Sequence, residues 1–369
     1  MDRALNIFRT YFLPAFVIQS VLLAGGFGTG REIVEYFTSH GAVGGLLGLF
    51  VAFLLFALII GLTFERSQRF SLYNYQDFFV NLIGRFSFVF EIVYVLTLVL
   101  VMSIVGSAAG TLLEETFSIP YYAGVLSLYL TVCVISFLGV EFVNRFLTLA
   151  TLVVYLILST VIIVVFTESF DAISVSLDPA DVQPTWPLFS AKFALYNLAA
   201  VPGLLYSTRS IDSPKKAWLA ACIAAAIIVI PGVMIHLVLL SGYPEVTSQE
   251  LPVFWVLNRG GHAGLTIAYI LMLVITLCAT VSGLIQGLTE RISAFLKQKG
   301  RGEATHLQSL SICLVAITMS MALSTVGFVT LVAEGYSILA YCILAVYVVP
   351  LLFSGAKRMF PAKSGSRIP

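Results

Sequence analysis

The residues of this chain best suited to chemistry follow a run of glycines. Gly25-Gly26-Phe27-Gly28-Thr29-Gly30 leads straight into Arg31-Glu32-Ile33-Val34-Glu35. The run falls within an apolar stretch long enough to begin as a membrane-spanning helix. Glycine continues a helix poorly, costing about 1 kcal/mol relative to alanine. In hydrocarbon each freed N–H and C=O also needs a partner, so a backbone broken at this depth must be buried in protein or line a wet cavity. Helix-packing faces account for small-residue spacings such as Gly41/Gly45 and Gly44/Gly48 in the next run. They leave Arg31, Glu32 and Glu35, directly after the glycines, unexplained. The chemistry expected here is binding by backbone. Free N–H groups at the start of the outer half, near Gly30, suit a carboxylate. Carbonyls released at Ala24 and Phe27 suit Na⁺ or an ammonium group.

A second interruption reads Tyr196-Asn197-Leu198-Ala199-Ala200-Val201-Pro202-Gly203. Proline removes a backbone donor and clashes with the preceding turn. Carbonyls near Leu198–Val201 should face the first break, with Tyr196, Asn197 and Ala200 beside them. An amide in hydrocarbon needs partners, which favours a role for Asn197. Two such breaks facing each other would hold a solute carrying both charges, such as an amino acid. The four histidines and five cysteines are scattered through apolar runs and loops, so no metal site or disulfide framework is expected. His236 reads as a packed histidine with a weaker claim as a proton relay.

The elements that position these residues are membrane helices. Of the chain, 59% is hydrophobic and 11% charged, and the mean hydropathy is +1.00, which excludes a soluble globular protein. Ten apolar runs are expected: 11–40 (interrupted), 41–64, 86–113, 119–139, 142–167, 188–210 (interrupted), 215–242, 262–294, 305–326 and 328–354. Residues 66–85, with Tyr73, Tyr75, Phe78 and Phe79 among basic residues, suit a short helix in the membrane interface. Arg3 and Arg9 before the first run resemble a signal peptide, but the run continues through the glycines, so an uncleaved first helix is expected. With both termini in the cytoplasm, all of the 20 basic residues except Arg31, Lys192 and Arg259 fall on the inner side, as the positive-inside rule requires.

The interruptions lie in runs 1 and 6, five helices apart. Five is odd, so a repeat of that length is inverted in the membrane, and paired Gly/Pro breaks in inverted halves point to a secondary transporter's binding site. The expected fold is therefore an all-α integral membrane domain of ten helices, with inverted halves of about 11–167 and 188–354 and helices 1 and 6 broken at mid-membrane. This pattern resembles the LeuT-fold transporters of the amino acid–polyamine–cation superfamily. Within it, Gly26-Phe27-Gly28-Thr29-Gly30-Arg31-Glu32-Ile33 is similar to the helix-1 motif of YkvI-like membrane proteins.

The resemblance implies further roles. Metal-transporting relatives carry Asp-Pro-Gly in helix 1 and a Met/His pair in helix 6, which this chain lacks, so a transition-metal cargo is not expected. Relatives that use Na⁺ take backbone and hydroxyl ligands from helix 8, which maps the role to Thr276, Ala279, Thr280 and Ser282, opposite Ala24 and Phe27. Each hydroxyl could instead bond back to its own preceding turn. Helix 5 lacks the lysine that replaces Na⁺ in other relatives, which favours Na⁺ over proton coupling through Glu32 or Glu35. Some relatives close the outer vestibule with an arginine and an acid; Arg31 and Glu334, about 13 and 10 Å from the outer surface at 1.5 Å per residue, are expected to form that gate. Glu91, Glu114 and Glu115 read as interfacial, and Lys192 as a gate residue or a snorkelling one.

The reading that follows is cation-coupled secondary transport of a small amino-acid-like solute across the plasma membrane. Its partners are the solute, the coupling cation and the bilayer; no nucleic acid and no cofactor beyond a bound Na⁺ are expected. The alternative is a nutrient-sensing receptor subunit of the same fold, resembling spore-germinant receptors. No nucleophile–base motif argues for an enzyme, and broken helices suit a carrier better than an open pore.

Overall fold

A chain this apolar can satisfy its backbone in hydrocarbon only as helix or closed barrel, and the computed structural model, which describes residues 2–22, 26–137, 140–177, 181–298 and 306–359, is helical apart from short turns and connections. The helices used below are α1 (Leu13–Leu22), α2 (Arg31–Tyr36), α3 (Ala42–Phe70), α4 (Tyr75–Ile83), α5 (Ser87–Phe117), α6 (Tyr121–Phe137), α7 (Val140–Glu168), α8 (Trp186–Asn197), α9 (Pro214–Leu240), α10 (Pro252–Arg259), α11 (Ala263–Gln298), α12 (His306–Ser324), α13 (Tyr336–Ile343) and α14 (Val349–Met359). Among the described residues seven helical spans are long and apolar enough to cross a membrane, and Tyr121–Ile135 and Leu314–Ser324 are shorter apolar helices. The remaining expected run, the first, is divided into α1, the single turn Gly26–Thr29 and α2. Between residues 66 and 85, α3 runs on to Phe70, and α4 then starts from an Asn74 cap whose side chain accepts from the Gln76 N–H at 3.0 Å.

The most extensive packing is between α3 and α9. Glycine permits it: a Cβ on Gly45 would stand 2.4 Å from the His236 ring. That ring is fully buried and held by Thr38 Oγ1 (2.9 Å) and the Ala42 carbonyl (2.9 Å), so it is a packed histidine. At the centre, Phe193 of α8 meets Phe37 edge-on at 4.8 Å and lies near Phe27, Tyr36, Phe56 and Tyr196. Outward-facing residues are as apolar as the core: Leu152 is 64% exposed and Leu156 71%. A bilayer removes the penalty this would carry in water.

Side-chain contacts sort the bundle into two ends. At the near end Thr10 reaches the Ser210 carbonyl, Arg66 binds Asn81 and Ser354, and Arg291 pairs with Glu91. At the far end Arg259 pairs with Glu245, His262 with Glu168, and Tyr243 with Asp181, while Thr111 donates to Glu250 and Tyr121 to the Ser324 carbonyl. Burial and the neighbouring Asp181 push the Tyr243 phenol, in the turn after α9, up to about 12.

Candidate functional site

Gly30 sets the geometry. Its φ of +83° is left-handed, and a Cβ there would stand 2.7 Å from Val253 Cγ2, so glycine alone fits without strain. The chain turns at Gly30 and restarts as α2, presenting successive side chains in different directions. Arg31 points to the far end. Its Nη1 donates to the carbonyls of Thr247 (3.0 Å) and Gln249 (3.1 Å), and its Nη2 to Glu35 (3.0 Å). The guanidinium thus ties α2 to the segment entering α10.

Glu32 points the other way. It is 4% exposed, and Tyr196 Oη donates to its Oε2 at 2.5 Å. Tyr336 of α13 lies flat on Tyr196, with ring centroids 4.1 Å apart and planes within 3°, and brings its hydroxyl to the same carboxylate. Below this cluster opens a cavity of about 380 Å³ lined from α1, α2, α5, α7, α8, α11, α13 and the stretch after α8. Lining residues beside Glu32, such as Val105 and Leu339, are buried; farther along, Tyr94, Leu284 and Gly287 are half-buried. At that end Arg291 stacks between Tyr94 (3.4 Å to the ring centroid) and Tyr75 (3.9 Å), 3.5 Å from Glu91. The cavity therefore runs from the centre toward the near end, and the far end is closed by the Arg31 contacts and the Phe193 cluster.

Several expectations change. Ala24 and Gly25 lie outside the described residues. The Phe27 carbonyl accepts from the Gly30 N–H at 3.1 Å and is not released for a cation. The Arg31 N–H is capped by Thr29 Oγ1 at 3.2 Å, and the Gly28 carbonyl is taken by Tyr269 Oη at 2.7 Å. Gly26–Thr29 is a helical turn, so the break is confined to fewer residues than the glycines suggest. After α8 the backbone tightens into a 3₁₀ helix, Leu198–Thr208, whose i→i+3 bonds take up carbonyls that unwinding would have freed, except that Pro202 has no N–H to return to the Ala199 carbonyl. Asn197 and Ala200 line the cavity, with Asn197 donating to the Phe193 carbonyl at 2.9 Å; Pro202 and Gly203 do not line it.

Arg31 is paired with Glu35 and not with Glu334, which is exposed; the partner one turn away on the same helix is closer than one on α13's approach. That contact also turns Glu35 from the cavity, leaving Glu32 as its charged group. Thr276, Ala279 and Thr280 line the cavity, and Ser282 does not. The three hydroxyls donate to the carbonyls of Met272, Thr276 and Cys278, each in the preceding turn of α11. Lys192 rests over the Phe189 and Tyr341 rings. Glu91, read as merely interfacial, is the partner of Arg291. Sequence reasoning missed Tyr336, Tyr94, Tyr155 and Arg291; a tyrosine two residues past Glu334 was the available signal. Among the described residues no group of three His, Cys, Asp or Glu side chains could hold a metal ion.

No family model matches the chain. It is similar to the uncharacterized membrane protein YkvI of Bacillus subtilis, 27% identical over 354 residues that cover 90% of this chain and 92% of YkvI. Its fold matches a Na⁺-coupled sialic acid symporter solved in a substrate-bound outward-open state, with a TM-score of 0.59 and 16% identity over 94% of this chain and 78% of that one. It also matches the manganese transporter of Eremococcus coleocola in complex with an aromatic bis-isothiourea compound, with a TM-score of 0.58 and 16% identity over 100% of this chain and 83% of that one. The chain is a multi-pass membrane protein with the LeuT-like transporter fold, and its resemblance to YkvI runs along nearly its whole length.

Proposed function

We propose that the chain is a secondary transporter that carries a small organic solute through the cavity beside Glu32 by alternating access. The observation that carries this is the cavity itself: it forms where the end of α1 and the 3₁₀ stretch after α8 come together beside one buried carboxylate, Glu32, while Gly26–Gly30 does not line it. In this reading the two halves, 11–167 and 188–354, are inverted repeats of five helices, with runs 1 and 6 interrupted, both termini in the cytoplasm and the plasma membrane as the site of action. The near end, which holds Arg66, Lys216 and Arg291, is then cytoplasmic. The cavity runs toward that end while Arg31 clamps the other, which is the arrangement of an inward-facing carrier.

A zwitterionic solute keeps a partner for its ammonium in Glu32, whereas the backbone donors expected for its carboxylate are spent at Gly30 and Arg31. Thr276 and Thr280, across the cavity from Val21 and Leu22 of α1, are the groups suited to a coupling Na⁺. The test is a thermal-shift screen of amino acids and amines with and without Na⁺, followed by flux of each hit into liposomes. A ligand at a hundred times its dissociation constant stabilises the fold by about 2.7 kcal/mol. A hit that moves across the bilayer supports the carrier. Binding without flux would make the chain a sensor instead.

A further inference from the structure

The cavity is an apolar chamber with one charge. Among the described residues that line it Glu32 is the one acidic or basic side chain, and Arg291 lies behind Tyr94 at the near end without lining it. Arg31, next in sequence, spends its guanidinium on Glu35 and two carbonyls. The remaining polar lining consists of hydroxyls and one amide. Tyr155 contributes to the cavity wall, and its buried Oη has no hydrogen-bond partner among the described residues.

We infer that the cavity takes a monovalent organic cation, an ammonium on an apolar body, and that this cation and a proton occupy Glu32 alternately, so that the carrier exchanges one for the other. The inference rests on reading this cavity as a transporter's substrate chamber. A charge carried across the membrane unpaired is expensive, so the carboxylate must be neutralised whenever its surroundings close. A loaded chamber is neutral with the ammonium on Glu32, and an empty one is neutral with a proton on it. As the cation binds, the proton passes to water on that side; after the cation leaves on the other side, the carboxylate takes a proton from water there and the carrier returns.

An anion or zwitterion would bring a carboxylate with no cationic partner into the chamber. A bare metal cation needs several oxygen acceptors, while the Tyr196 hydroxyl beside Glu32 is already a donor to it. An ammonium's diffuse charge and apolar body, whether or not its nitrogen carries hydrogens, fit a carboxylate beside the stacked rings of Tyr196 and Tyr336.

The other titratable groups nearby are placed as follows, with His40, on the turn after α2, held by Thr185 Oγ1 at its Nδ1 and packed on Phe189. On the elements packed against α2, Lys192 lies on the Phe189 and Tyr341 rings, His236 on Thr38 and the Ala42 carbonyl, and Glu245 on Arg259, while Glu334 is exposed. Tyr36, on α2 itself, donates to the Val332 carbonyl. Tyr94 and Tyr155 face the chamber from α5 and α7.

The test titrates the purified full-length protein with phenethylamine, phenylalanine and 3-phenylpropanoate in weak buffer containing a pH indicator. These share an aryl-alkyl body and differ in charge. Phenethylamine should bind at least tenfold more tightly than the other two and release up to one proton per molecule bound. Glu32→Gln, whose amide oxygen still accepts from Tyr196, should melt within a few degrees of the wild type yet lose both effects, and Glu32→Asp should retain them in part. If Glu32→Gln does not fold, the proton count on the wild type decides alone. Equal affinities, tighter binding of the zwitterion, or stabilisation by Na⁺ with no preference for the ammonium would overturn the inference.

A second measurement uses liposomes holding a pH dye and given external phenyltrimethylammonium, whose permanent charge keeps it from crossing lipid unaided. Wild-type protein should raise the internal pH as the cation enters. Proton release on binding without this flux would remove the transport reading and the exchange with it. Flux of phenylalanine with no preference for ammonium compounds would leave transport standing and sink the cation.

Discussion

Arg31 offers the sharpest test of the far-end closure. The residue is 6% exposed, and its guanidinium donates to two carbonyls of the segment before α10 and to Glu35. A hydrogen bond to a charged group contributes about 1.5–3 kcal/mol. Losing the two carbonyl contacts therefore weakens closure by about 3 kcal/mol at the low end, or roughly a hundredfold in the closed-to-open ratio. The perturbation is Arg31→Met combined with Glu35→Gln, so that no unpaired carboxylate remains to distort the result. Hydrogen–deuterium exchange of residues 245–251 reads the opening, and their amides should exchange about a hundredfold faster in the double variant. Glu334→Gln should leave that exchange unchanged, because Glu334 is exposed and unpaired with Arg31. If Glu334→Gln opens the segment as much as the double variant does, the clamp runs through Glu334 and the contacts described here are not the closure. If neither variant changes exchange, Arg31 is not a gate residue.

Gly30→Ala forces a side chain into a left-handed backbone and against Val253; the cost of about 1–2 kcal/mol for the conformation alone should lower the melting temperature, and Val253→Ala should return part of the loss. Glu91→Gln weakens the hold on Arg291 at the near end, so a cysteine placed at Gly287, where a Cβ meets nothing within 4 Å, should react faster with a water-soluble thiol reagent than it does with Glu91 intact. If Na⁺ is a ligand, Thr276→Val with Thr280→Val should abolish Na⁺-dependent stabilisation while barely changing stability in its absence, since only bonds to the preceding turn are lost. Tyr243 keeps its proton until about pH 12, so its contribution to the far-end contact with Asp181, measured as the stability lost in Tyr243→Phe, should be constant between pH 7 and 10.

Much of the architecture was legible because the bilayer simplifies it. Hydrocarbon demands helices, and run length locates them: seven of the ten expected runs are full spans among the described residues and two more are shorter apolar helices. Departures from simple helix also announced themselves: α2 starts at Gly30 and the 3₁₀ stretch begins after Asn197. What could not be read was how the backbone would compensate at those points. The glycines suggested a row of free groups, whereas the turn Gly26–Thr29, the Thr29 cap and Tyr269 take up the donors and acceptors within the protein. An unpaired backbone group in a nonpolar surrounding is costly enough that partners are found from as far along the chain as Tyr269.

That compensation moves the site from backbone to side chains. Arg31, Glu32 and Glu35 stand within five positions, with Arg31 expected at a gate and Glu32 or Glu35 as the proton carrier, and at 100° per residue a helix points neighbours apart and brings residues four apart together. Arg31 and Glu35 therefore find each other, and Glu32 is sent to the opposite side alone. Its partners come from α8 and α13, 164 and about 300 residues away, and such contacts carry no local signature. A lone acid in an apolar chamber is tolerable when something neutralises it during each passage. The spacing of three charged residues on α2, and the left-handed glycine before it, thus leave one carboxylate facing the cavity, and under the proposed transport the solute would be one that a carboxylate can accept.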